Sequence, residues 1–91
     1  MTPPESLDIA EQKRRFHWQC RRGASEVEVV LNAYLERFFD IDDDERRAQF
    51  ARLLECEDVD LLEWFTRRSQ PEDPELRAFV AELLDRVAEK R

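Results

Sequence analysis

CRRGASEVEVVLNAYLERF, residues 20–38, carries the only glycine of the chain, placed directly after two arginines and three residues before a glutamate. Ser25 followed by Glu28 has the form of a capping box, in which two side chains reciprocally satisfy the free N–H groups of a helix start. From there Val27, Val30, Leu31, Tyr34, Leu35 and Phe38 recur at i, i+3, i+4, i+7, i+8 and i+11, which is one buried stripe of an α-helix. Gly23 therefore separates two helices. Only glycine enters the left-handed conformation of a helix C-cap without a Cβ penalty, so Gly23 is expected to end a preceding helix.

Outward from this segment the helical signals repeat. Asp8 and Glu11 form another box, opening a helix to about Arg21. Asp42 with Glu45 is expected to cap a third helix through Phe50, Leu53 and Leu54, and Asp58 a fourth through Leu61, Leu62, Trp64 and Phe65. SQPEDP (residues 69–74) breaks the chain, and Asp73-Pro74 starts a fifth, because proline at the first helical position has no N–H to leave unsatisfied. Leu76, Phe79, Val80, Leu83, Leu84 and Val87 give that helix the cleanest amphipathic pattern. No segment reads as a strand. The expected fold is all-α, a compact single-domain five-helix bundle over residues 1–91, with 1–7 a flexible N-terminus and 8–88 the helical core. Phe16, Leu31, Tyr34, Phe38, Phe50, Leu54, Phe65, Phe79 and Leu83 are its expected core.

Composition agrees: 42% hydrophobic and 41% charged residues suit helices with one apolar and one charged face. The net charge is −7, yet Lys13, Arg14, Arg15, Arg21 and Arg22 fall together in a stretch without acids. A basic island on an acidic body disfavours binding to nucleic acid or anionic membranes and suits a protein partner with an acidic docking surface. No signal sequence, transit peptide or membrane span is recognisable, and Cys20 and Cys56 read as reduced thiols. A bacterial-type cytoplasmic location fits these features.

On a helical wheel Ile9, Phe16 and Cys20 share one face, while Trp18 lies opposite among Glu11, Arg14, Arg15 and Arg22. Such a tryptophan stacks on guanidinium groups, contacts another helix, or anchors an interface. Arg22 and Glu26 are expected to project from one corner as an exposed, fixed opposite-charge pair.

FHWQCRRGASE (residues 16–26) resembles the signature of the succinate dehydrogenase assembly factors, the SdhE-type flavinylation factors. Their Arg-Gly-x-x-Glu motif corresponds to Arg22, Gly23 and Glu26, preceded by His17, Trp18, Cys20 and Arg21. DDDERRAQFARLLECEDVDLLEWF, residues 42–65, is similar to the family's second block; Val59 departs from it, where relatives commonly carry proline. The resemblance implies a non-enzymatic assembly chaperone. It would bind the flavoprotein subunit of succinate dehydrogenase or fumarate reductase, be monomeric when free, and promote attachment of FAD to a histidine of that subunit. FAD would stay with the partner, so this chain would bind no cofactor itself. Arg22, Gly23 and Glu26 would contact the partner, within a patch built by Trp18, His17, Arg15 and Arg21. An antitoxin-like regulatory module without a flavoprotein client is the competing reading.

Other chemistries find less support. His17 and Cys20 are helical neighbours that could serve as base and nucleophile, but Cys20 shares the apolar stripe and no oxyanion site is evident. His17, Cys20 and Cys56 lack metal-ligand spacing. There is no glycine-rich loop after a strand for a dinucleotide. The acidic body speaks against a helix-turn-helix DNA binder, and Asp42–Glu45 lacks the calcium-loop pattern.

Overall fold

A computed structural model describes residues 9–88. Five helices are found among them: α1 (Ile9–Gln19), α2 (Ser25–Arg37), α3 (Asp44–Leu54), α4 (Asp58–Phe65) and α5 (Pro74–Ala88). The expected Asp8–Glu11 box and the N-terminal segment lie outside the described residues in whole or in part. No described helix is long and apolar enough to cross a membrane.

The apolar stripe of α2 places it at the centre, against α1, α4 and α5, while α3 packs on α1 and α5. Val27, Leu31, Tyr34 and Leu35 are all buried. Tyr34 stacks on Phe50 of α3 with ring centroids 4.4 Å apart and meets Phe79 of α5 edge-on at 5.7 Å. Phe16 of α1 closes the cluster against Phe39 and Phe50. Offset and edge-on ring pairs add to the burial of their large apolar areas.

Six of the nine expected core residues are buried: Leu31, Tyr34, Phe50, Leu54, Phe79 and Leu83. Phe16, Phe38 and Phe65 are only partly buried, and Phe39 is fully buried in place of Phe38. At the end of α2 the amide of Phe39, like that of Phe38, donates to the Tyr34 carbonyl at 2.9 Å. This wider i to i+5 turn shifts the side-chain direction and turns Phe39 inward. Phe38 lies instead beneath the guanidinium groups of Arg37 and Arg86.

Three of the expected caps fall on other residues. Asp43, not Asp42, caps α3 by accepting from the Arg46 amide at 2.9 Å. Asp42 is buried, where it accepts from the Tyr34 hydroxyl at 2.8 Å and from both terminal nitrogens of Arg86. A buried carboxylate needs such a complete set of partners. Asp58 is the first residue of α4, and its carboxylate pairs with Arg22. Ala24 is the N-cap of α2, with no side-chain cap bond. Asp73 and Pro74 do open α5, the Asp73 carboxylate accepting from the Leu76 amide at 2.9 Å.

Candidate functional site: the corner between the first two helices

Helix α1 stops four residues before Gly23. The Cys20 amide donates to the Phe16 and His17 carbonyls, and the Arg21 amide to Trp18. The backbone amides of Arg22 and Gly23 then make no bond to α1. Gly23 has φ +86°, the left-handed conformation expected of it, but its N–H does not cap α1. It donates at 2.7 Å to the Glu28 carboxylate, and the Arg22 amide donates to the same oxygen, Oε2, at 2.8 Å. The acid read as Ser25's box partner thus reaches past the N-cap to hold the preceding turn. These two amides hold the Glu28 carboxyl below its ordinary value, Gly23 having the larger effect.

The side chain of Arg22 turns inward rather than projecting. Its Nε donates to the Gln19 carbonyl at 3.0 Å, its Nη1 to the Cys56 carbonyl and to Asp58 Oδ1, both at 2.9 Å, and its Nη2 to the Leu54 carbonyl. The planar fork of guanidinium donors suits this convergence of acceptors. One side chain joins the end of α1 to the end of α3 and the start of α4. Arg22 is therefore not paired with Glu26, and the expected exposed ion pair does not form. Glu26 is exposed, without a hydrogen bond or ion pair to any described residue.

The remaining site candidates lie on the outer face of α1 and just after it. Trp18 is 71% exposed and the Arg21 guanidinium sits over its ring at 5.7 Å, so of the three expected roles, stacking is observed and contact with another helix is not. His17 and Arg15 are exposed, as is Gly23. Most of the basic island is compensated within the chain: Lys13 pairs with Asp40, Arg14 and Arg15 lie against Glu11, and Arg22 pairs with Asp58. Among the described residues only Arg21 of those five cations has no carboxylate within ion-pair distance. Arg14 and Arg15 share one carboxylate, so the positive surplus of the island lies with that exposed pair and with Arg21 beside Trp18.

Cys20 is fully buried at this corner. Burial pushes its thiol up to about 12, against the smaller opposing effect of Arg22, so it is an inert core residue rather than a nucleophile beside exposed His17. Away from this corner, a concavity of about 160 Å³ lies between the α4–α5 connection and α5, lined by Trp64, Arg67, Pro71, Arg77 and Leu84 among others.

Glu28 and Asp58 complete the corner, and neither stood out in the sequence as part of it. A signal for Glu28 exists in retrospect: an acid in the first turn of a helix, five residues after a glycine, can reach back to that glycine's amide. Asp58 carries no such local signal, since its partner is 36 residues away.

The profile of the family described as flavinator of succinate dehydrogenase (Sdh5) matches residues 14–87. That span runs from within α1 to the last turn of α5. The FAD assembly factor SdhE of Pseudomonas aeruginosa is 43% identical over 74 residues, covering 81% of this chain and 88% of that protein. Its counterpart in Idiomarina loihiensis is 36% identical over 83 residues, covering 91% and 92%. That of Pseudomonas putida is 40% identical over 76 residues, covering 84% and 90%. The chain, whose Arg22-Gly23 turn and Glu26 sit at the junction of its first two helices, belongs to the flavinator of succinate dehydrogenase family.

Proposed function

We propose that this chain is an assembly factor that binds the flavoprotein subunit of succinate dehydrogenase and promotes covalent attachment of FAD to it. The related subunit of fumarate reductase is a further client in the same reading. The factor acts in the cytoplasm, as a monomer until it meets its client. Membership of the family is the first support. The observation that carries the docking surface is the exposure of Trp18, with Arg21 over its ring, next to a tightly held turn whose Glu26 has no partner within the described chain. A large exposed aromatic with an arginine beside it is the composition of an interface hot spot.

The chain's own part in the reaction is geometric. Covalent attachment draws on the flavin and on a histidine of the client, and a bound factor accelerates it by favouring the client arrangement in which the two are aligned. Arg22 serves this by fixing the corner from within. Gly23, Glu26, Trp18 and Arg21 meet the client, with His17 and Arg15 at the margin.

Mixing the purified chain with the isolated flavoprotein subunit, followed by size-exclusion chromatography with light scattering, tests the proposal. A one-to-one complex is expected, weakened by Trp18→Ala and by Glu26→Ala. Separate elution of the two proteins at micromolar concentration, with FAD present, would count against it.

A further inference from the structure

Two adjacent backbone amides that converge on one anion form a nest, a concavity that ordinarily recruits a negative group from elsewhere. At Arg22 and Gly23 the chain fills its own nest with Glu28 Oε2, at 2.8 and 2.7 Å. No close approach at Gly23 imposes this turn: a Cβ built there would meet nothing within 4 Å. The turn is held instead from two sides, by the Arg22 guanidinium against α3 and α4 and by the Glu28 carboxylate against its backbone. Glu28 belongs to the first turn of α2, its own amide bonded to the Ala24 carbonyl at 3.0 Å, so its side chain links the turn rigidly to the helix. That same helical turn carries Glu26.

We propose that Glu28, which lies outside the Arg-Gly-x-x-Glu motif, is the positioning residue of the motif: by gripping the Arg22 and Gly23 amides it fixes the turn relative to α2 and so presents Gly23 and Glu26 together to the client. This inference rests on the client reading above for its second half only. Charge contributes to the grip, since a carboxylate at a helix N-terminus is favoured by the macrodipole and accepts charge-assisted bonds.

The test uses the full chain with Glu28→Ala and Glu28→Gln, and two readouts. Hydrogen exchange of the Arg22 and Gly23 amides, followed by NMR in the free protein, is expected to accelerate in Glu28→Ala by about tenfold or more, the equivalent of one charge-assisted hydrogen bond, while core amides of α2 and α5 stay protected. Glu28→Gln keeps a carbonyl oxygen at the same reach and is expected to restore part of the protection. Client affinity, measured by titration where all variants are folded, should follow the same order: wild type tightest, Gln intermediate, Ala weakest. Unchanged exchange at both amides in Glu28→Ala would overturn the grip. Opened amides with wild-type client affinity would overturn the positioning role. Should the wild-type chain itself not bind the subunit, the client reading falls together with the positioning role, while the exchange readout still decides the grip.

Discussion

Arg22 Nη1 and Asp58 Oδ1 lie 2.9 Å apart, and the same nitrogen donates to the Cys56 carbonyl two residues earlier. The contact joins a residue just after α1 to the first residue of α4, while the other guanidinium nitrogens reach Gln19 and Leu54. Removing the guanidinium leaves carbonyls at two helix ends without donors and a carboxylate without its cation. Arg22→Ala should therefore cost about 2–4 kcal/mol of stability, well above the effect of a surface change. Arg22→Lys should recover little, because a single ammonium cannot span these acceptors. Urea unfolding measures both; a loss below about 0.5 kcal/mol for Arg22→Ala would contradict the clamp.

Gly23 needs its conformation, not its space. With φ +86° and open surroundings, Gly23→Ala should destabilise by about 1 kcal/mol through backbone strain alone. Gly23→Asn should cost less, since asparagine tolerates the left-handed region better. Both variants keep the N–H that Glu28 accepts. Thermal unfolding of the three proteins orders them, and equal stability of Ala and Asn variants would point to a cause other than strain.

Two carboxyls set part of the acid limb of stability. Glu28 is held below its ordinary value of 4.5 by the Gly23 and Arg22 amides, and Asp73 below its 3.8 chiefly by the Leu76 amide. A group whose folded pKa is depressed contributes stability that is fully present above its unfolded pKa and is lost as pH falls through the folded one. Urea midpoints should thus decline below about pH 4.5, and Glu28→Gln with Asp73→Asn should flatten that decline. An identical acid limb in the double variant would show that these two carboxylates do not contribute.

The two cysteines should differ in reactivity. Cys20 is fully buried, with its thiol pushed up to about 12, whereas Cys56 is half-buried. Burial raises the Cys56 thiol as well, so neither is activated. At neutral pH a small alkylating reagent should label Cys56 first, and Cys20 only at the rate of opening of the fold. Mass spectrometry of a time course separates the two; Cys20 labelled as fast as Cys56 would mean that the corner opens far more readily than its contacts imply.

Much of this fold was legible because helix periodicity is local. The α2 stripe and the Asp73-Pro74 start of α5 are written within a few residues of where they act. Phe38 and Phe39 show where periodicity stops: the pattern continues past Arg37, but the backbone does not. In the acidic run, three aspartates in succession offer the same capping chemistry, and only the buried Tyr34 hydroxyl and the Arg86 guanidinium, which both bond Asp42, decide that Asp42 goes inward and Asp43 caps. The site was legible in its members and not in its geometry. Nothing near Arg22 in sequence announces the Leu54 and Cys56 carbonyls, which the end of α3 and the turn after it deliver from more than thirty residues away. A charged residue beside a glycine at a helix junction reads as surface until the third helix is in place.

In the proposed function the exposed residues of the corner, rather than its internal clamp, act on the client. Glu26→Ala separates the two, because Glu26 is exposed and unpaired among the described residues, and its loss should change stability by no more than about 0.5 kcal/mol. The direct measurement is covalent flavin on the client subunit, read as in-gel fluorescence after denaturation, in cells lacking the chromosomal gene and expressing wild type or Glu26→Ala at matched levels. The account predicts fluorescence restored by wild type and lost with the folded Glu26→Ala protein. Wild-type fluorescence from Glu26→Ala would contradict it, because the exposed acid of the corner would then be dispensable to the client.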